Sequence, residues 1–288
     1  MKAIDSHIHF STEKGHLLKD PKAIEAMEKY YRYKVVYKSD EEMAQDFIDL
    51  DIKAVLMPID CETATGWTFC GNDYAASMVQ RFPQAFIGSF AGIDPWKGER
   101  AIQELDRAVK VLGLIGVKFQ QALQAFYPND RRFYPLYEKC VELKVPVLFH
   151  VGTTGAGAGM PGGGGFRLKF TRPIPYIDDV AADFPDLTII CAHPAWPWQE
   201  EMIAILLHKP NVYNDLSGWS PKYFSDSLKK EIGGRLQDKM LYGSDYPEIA
   251  PQRWLKDFEA LNYKPEVVEK VLYQNAIRVL GLSPEDGV

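Results

Sequence analysis

Val145-Pro146-Val147-Leu148-Phe149-His150 is apolar from its first residue until it reaches a terminal histidine, and Leu187-Thr188-Ile189-Ile190-Cys191-Ala192-His193 repeats that design. Short runs that are apolar nearly throughout suit parallel strands covered on both faces. Working outward, similar runs recur at Ala3–Phe10, Lys53–Ile59, Ala85–Gly92, Leu114–Phe119, Val212–Leu216 and Lys239–Ser244. Each is followed by a helix-like pattern, near 41–50, 72–82, 99–111, 131–143, 175–184, 199–208, 225–236 and 251–261. Eight βα units over 288 residues leave about 36 residues per unit, a workable repeat. Strict alternation predicts an α/β chain with a parallel sheet, closed as a (β/α)8 TIM barrel, in one domain over residues 1–288. The competing reading, an open doubly wound sheet, would need a GxGxxG turn after the first strand, and none is there. A further helix at 265–280 is expected to pack outside the barrel. Two connections are longer than a barrel requires: 11–39 after the first strand and 152–172 after the fifth, the latter with Gly162-Gly163-Gly164-Gly165. Both are expected at the C-terminal mouth, where barrel active sites are built. The glycine run lacks a GK[ST] ending, so it reads as a lid segment and not a phosphate loop.

Composition narrows the class. With 46% apolar residues, 25% charged residues and net charge −6, the chain suits a globular protein with a large core. It carries no dense basic block, which argues against nucleic acid as partner. No stretch has the roughly 18 consecutive apolar residues of a membrane span. Met1-Lys2-Ala3-Ile4 enters a strand directly, unlike a signal peptide. The four cysteines show no CxxC spacing. Cys140 and Cys191 read as buried hydrophobes, and Cys61 and Cys70 as free thiols of a reduced, cytoplasmic protein.

The chemistry-bearing residues sit at strand ends. His7 and His9 are two apart on the first strand, so their side chains leave one face. His150 closes the fifth strand, His193 the sixth, and Asp245 follows the eighth. These positions are far apart in sequence, yet a barrel delivers all of them to one mouth. Imidazoles with a carboxylate suit Zn²⁺, with Mn²⁺, Fe²⁺ and Co²⁺ as competitors. His208 ends a helix, where it faces the negative end of the dipole. His16, in the first long loop, can at most touch substrate.

Asp5-Ser6-His7-Ile8-His9, Leu148-Phe149-His150, Ala192-His193-Pro194 and Tyr242-Gly243-Ser244-Asp245-Tyr246-Pro247 resemble the amidohydrolase superfamily. The likeness is to its amidohydrolase-related branch, which includes aminocarboxymuconate-semialdehyde decarboxylase and resorcylate-type decarboxylases. It runs from about Ala3 to Arg278. The resemblance implies one divalent ion held by His7, His9, His150 and Asp245, and a catalytic role for His193 beside the activated water. Asp245 suits both ligation and proton transfer. Asp5 is expected to orient the strand or a ligand histidine from behind. In binuclear members a lysine on the fourth strand is carboxylated and bridges two ions. A second ion held through a modified Lys118 is therefore the alternative; the mononuclear branch makes no such use, and with one ion Lys118 is expected to meet an anionic substrate group or form a buried pair.

Two further stretches, 192–199 and 215–224, are similar to hydroxyphenyl-β-ketoacyl-CoA hydrolases. That likeness makes Arg167, Lys169 and Arg172 candidates for anionic substrate groups, and Trp196 and Trp219 an aromatic wall. The resemblance implies a small-molecule substrate and is compatible with a homodimer. Three functions follow: a hydrolase using metal-activated water on a carbonyl or carboxylate substrate, a non-oxidative carboxy-lyase sharing the same site, and a ligand-binding barrel without activity. The tryptophan-rich stretches favour the hydrolase.

Overall fold

The computed structural model describes residues 2–283. Eight parallel strands form the barrel: β1 (Ala3–Ile8), β2 (Ile52–Leu56), β3 in two pieces (Phe86–Ser89 and Ala91–Gly92), β4 (Val117–Phe119), β5 (Val147–His150), β6 (Ile189–Ala192), β7 (Val212–Asp215) and β8 (Met240–Leu241). The ladder runs β1-β2-β3 and then β3 through β8. At the break in β3, the Phe90 N–H still bonds Leu56 (2.9 Å) while that of Ala91 has moved to Gly116 (2.7 Å). The strand thus hands over from one neighbour to the next. Closure comes where β8 runs on beside β1: Ser6 N–H to Tyr242 O (2.9 Å), Asp245 N–H to His7 O (3.0 Å) and His9 N–H to Tyr246 O (2.7 Å). Among the described residues no strand edge of the barrel is left open.

Alternation along the strands separates two cores. Ile4, Val55, Phe90, Leu148, Ile190 and Leu241 form one buried cluster, while Ala54, Phe86, Val117, Phe149 and Ile189 pack in the larger one that includes the surrounding helices. The terminal helix, Pro265–Glu269 continuing through a π-helical turn into Asn275–Leu280, corrects one expectation. Its Ala276, Val279 and Leu280 belong to the same cluster as Ile4 and Leu241, and the Val271 carbonyl accepts from Tyr242 N–H at 2.8 Å. It is part of the core and not an outer attachment.

The connection after β1 is not all loop. It carries α1 (Pro21–Tyr31), started by an Asp20 side chain that accepts from Lys22 N–H and by proline in the first turn, both standard helix openers. Only Ala23 and Met27 of α1 are buried, so the apolar stripe is too thin to show in the sequence. The connection after β5 carries short 3-10 turns at Pro161–Gly165 and Leu168–Thr171. α1 and this loop meet: Gly159 faces Tyr30, and Gly155 faces the Tyr31 ring. Together they roof the mouth. Among the described residues no helix is long and apolar enough to cross a membrane.

Candidate metal centre

β1 delivers His7 and His9 side by side, and the turn after β8 delivers Asp245 opposite them. One ligand atom from each lies within 4.8 Å of the other two. Their hydrogen bonds decide what these atoms offer. His7 Nδ1 donates to Asp215 Oδ2 at 2.7 Å, and His9 Nδ1 donates to the Met57 carbonyl at 2.8 Å. A neutral ring with its proton on Nδ1 carries a lone pair on Nε2. The two Nε2 atoms therefore face each other at 3.3 Å with no proton between them. Asp245 Oδ1, buried and without a hydrogen-bond donor, stands 3.3 Å from His9 Nε2 and 3.5 Å from His7 Nε2. Three converging lone pairs that carry no proton of their own are what a cation site requires, so these residues fit a divalent ion.

The charge balance points the same way. Burial, then Lys118, pushes His7 down to about 4, keeping it a neutral donor ligand. Burial opposes ionisation of Asp245, but His193 and His9 outweigh it and hold the carboxyl well below the ordinary range. Asp215 is fully buried, and there too His7 outweighs the burial cost and keeps the acid ionised. Asp215 was not singled out from the sequence. An aspartate at the last position of a barrel strand was the available signal.

His150 and His193 form a second pair. His150 Nε2 donates to Thr153 O at 2.9 Å, and His193 Nδ1 donates to Ser217 O at 3.0 Å. Their remaining nitrogens, His150 Nδ1 and His193 Nε2, face each other at 3.1 Å. The expected four-ligand set is thus not gathered as one group: His7, His9 and Asp245 are together, while His150 engages His193. Thr153 sets this arrangement by taking the outer nitrogen of His150. Burial lowers the pKa of both rings.

The backbone is bent to place these groups. His193 has φ +75° and Asp245 φ +67°, left-handed values unusual for residues with side chains. Gly218 is close behind them: a Cβ there would stand 2.5 Å from His193 Nδ1 and 3.1 Å from Asp245 Oδ2. Ser217 Oγ lies 2.9 Å from His193 Nδ1 and 3.3 Å from His7 Nδ1. This Asp215-Leu216-Ser217-Gly218 turn supports both histidine pairs; the sequence reading used it only for its resemblance and gave Asp215, Ser217 and Gly218 no role at the site.

The other expected residues divide. Lys118 is buried (1% exposed), its Nζ 3.4 Å from His7 Nε2, and burial brings it down to about 8. No carboxylate among the described residues pairs with it, so the expected buried pair is a contact with an imidazole. Asp5 accepts from the backbone N–H of Ser244 (2.8 Å) and of His7 (3.3 Å). It ties β1 to the β8 turn, and among the described residues no imidazole hydrogen-bonds it. Burial raises its carboxyl to about 7. Trp196 and Trp219 line the cavity above the centre, ring centres 5.8 Å apart. The basic trio is not brought there. Arg167 is exposed and off the cavity wall, Lys169 lies over Tyr127 and Phe170, and Arg172 is held by Glu201 at 2.6 Å. Exposed side chains on a surface loop find surface partners first. The cavity's cations are Lys118, Arg32 and Arg253 instead. Its volume is about 1110 Å³.

A closed (β/α)8 barrel with histidines and an aspartate converging at the C-terminal mouth defines a class of metal-competent barrel enzyme. Residues 4–282 match the Amidohydro_2 (amidohydrolase) family, and the chain belongs to it. A 2-keto-4-carboxy-3-hexenedioate hydratase from Sphingobium is 32% identical over 46% of this chain and 42% of its own length. A 2-amino-3-carboxymuconate-6-semialdehyde decarboxylase from Dictyostelium discoideum is 24% identical over 74% of this chain and 66% of its own. The chain thus spans less than two thirds of the curated relatives it matches. A solved dihydroxybenzoic acid decarboxylase from Polaromonas, with bound manganese, shares the fold at TM-score 0.63 and 19% identity, covering 99% of this chain and 98% of that one.

Proposed function

We propose that the chain is a metal-dependent hydrolase of a carbonyl or carboxylate compound with an aromatic or β-keto acyl body. His7, His9 and Asp245 would hold one divalent ion, zinc by donor type, with His150 the fourth candidate. Such an ion, when bound, polarises a substrate oxygen and lowers the pKa of water toward about 7. The observation that carries the reading is the facing pair His193 Nε2 and His150 Nδ1, 3.1 Å apart. Hydrolysis needs a place for the proton that water gives up. Ser217 fixes the His193 ring with its Nε2 lone pair inward, a seat for that proton, while Thr153 turns His150 Nδ1 inward to serve as the fourth donor. Lys118 supplies positive charge for a substrate carboxylate or developing oxyanion, and Trp196 and Trp219 flank an apolar body. The acidic, span-free chain suits a cytoplasmic enzyme with a small-molecule substrate.

A carboxy-lyase is the second reading, favoured by the decarboxylase names of the Dictyostelium and Polaromonas proteins. There a carbanion left by CO₂ would be protonated from Asp245 or His193. Zinc- or manganese-loaded protein assayed with β-keto thioesters and ortho-hydroxyaryl carboxylates in H₂¹⁸O separates the two. Label in the product without CO₂ supports hydrolysis, and CO₂ without label supports the lyase. In either case His193→Asn should keep its metal and lose turnover about 10²–10⁴-fold. Metal lost along with activity would make His193 a ligand instead of a base.

A further inference from the structure

One sector of the cavity wall turns apolar, where Leu17 of the first long loop meets Ile59, Leu123 and Phe166. His16 lines the same wall beside Leu17. His16 is 6% exposed although it sits in a surface connection, and it is firmly held. Its backbone N–H donates to Thr12 O at 2.8 Å, its ring Nδ1 donates to Leu18 O at 3.0 Å, and Tyr37 packs edge-on at 5.4 Å. With Nδ1–H committed, the neutral ring carries its lone pair on Nε2, and no described residue bonds that atom. Burial lowers the pKa of the ring, in keeping with the neutral form. His16 and His9 line the same recess as well as the large cavity, so one ligand can touch both the metal centre and His16.

We propose that His16 is a specificity-determining residue whose Nε2 accepts a hydrogen bond from a hydroxyl or amino group on the apolar end of the substrate. This rests on the orientation in the reading above, with the acidic or carbonyl end at His7, His9 and Asp245. The substrate class is then an apolar, ring-sized body carrying a polar donor away from the reacting end. Such a site favours the compound carrying the donor over the analogue without it by the worth of one hydrogen bond.

The test is calorimetric. Manganese-loaded protein is titrated with 3-phenylpropanoate and its three ring-hydroxylated isomers. Wild type should bind one isomer about 3–10-fold tighter than the parent. His16→Phe, which keeps a ring and removes the acceptor, should lose that preference, its Kd values for the four compounds falling within about twofold of one another. His16→Gln should recover part of it. Imidazole ¹⁵N NMR of wild type supplies a readout that needs no variant: the Nε2 resonance of His16 should shift with the preferred isomer and stay put with the parent. Equal binding of all isomers, a preference that survives in His16→Phe, or an unmoved Nε2 resonance overturns the inference. If none of the four binds the metal-loaded protein, the orientation in the preceding section fails and takes this inference with it.

Discussion

The floor and the roof of the cavity are built on opposite plans. On the floor, each ring nitrogen of His7, His9 and His193 that does not face the centre is tied, to Asp215, Met57 and Ser217. The side chains stand on strand ends or on the tight turns after them. In the roof, α1 buries two residues, Tyr30 is 60% exposed, and Gly162 and Gly163 take positive φ with nothing within 4 Å of a would-be Cβ. The roof is pinned by few bonds, such as Tyr33 OH to Glu248 at 2.8 Å. The contrast separates two tasks. Groups that must meet one ion need rotamers locked from behind, whereas a cover over a substrate entrance must be able to give way.

A glycine in each region turns that contrast into measurements, and the floor one carries the largest expected effect. Gly218→Ala puts a Cβ 2.5 Å from His193 Nδ1 at φ +73°, adding a clash to backbone strain. The two together cost about 2–4 kcal/mol. Thermal unfolding should begin roughly 5–15 °C earlier, and turnover should fall because His193 is displaced. A variant with wild-type Tm and activity would mean that the β7 turn is looser than the hydrogen bonds say.

Asp215→Asn comes next. An amide keeps the volume but removes the charge that opposes Lys118 and the acceptor that fixes the His7 tautomer. Loss of such a partner weakens metal binding by about 10–100-fold. Competition with a chromophoric chelator measures this, and unchanged affinity would reduce Asp215 to a packing residue.

The same division explains what could be read in advance. His7, His9, His150, His193 and Asp245 are legible because a barrel sends every strand end to one mouth, so chain position alone predicts their meeting. Asp215 obeys the same rule, yet it works by hydrogen-bonding a ring and not by facing the cavity, and no spacing in the sequence marks that. The pairing of His150 with His193 turns on which nitrogen Thr153 takes, a local choice that periodicity cannot see. The roof is harder still. α1 hides because its apolar face is two residues wide, and the Arg172–Glu201 ion pair joins a loop to a helix 29 positions on. His16 looked incidental because its burial is made by a turn and by Tyr37, not by a repeating pattern.

The smallest effect is expected in the roof. Gly162 has φ +61°, like Gly218 in backbone terms, but open space surrounds the position where a Cβ would stand. Gly162→Ala therefore pays the left-handed conformation alone, about 1 kcal/mol, which is a Tm change of roughly 2–4 °C. Metal affinity should match wild type, and turnover should stay within about twofold, since no side chain of the floor is within reach of the added methyl. The two alanines share one backbone requirement and differ only in what lies behind it, so the gap between their Tm values isolates the floor's packing from generic glycine strain. If Gly162→Ala fell as far as Gly218→Ala, or lost metal, the roof would be part of the rigid scaffold, and the entrance would have to open through some other segment.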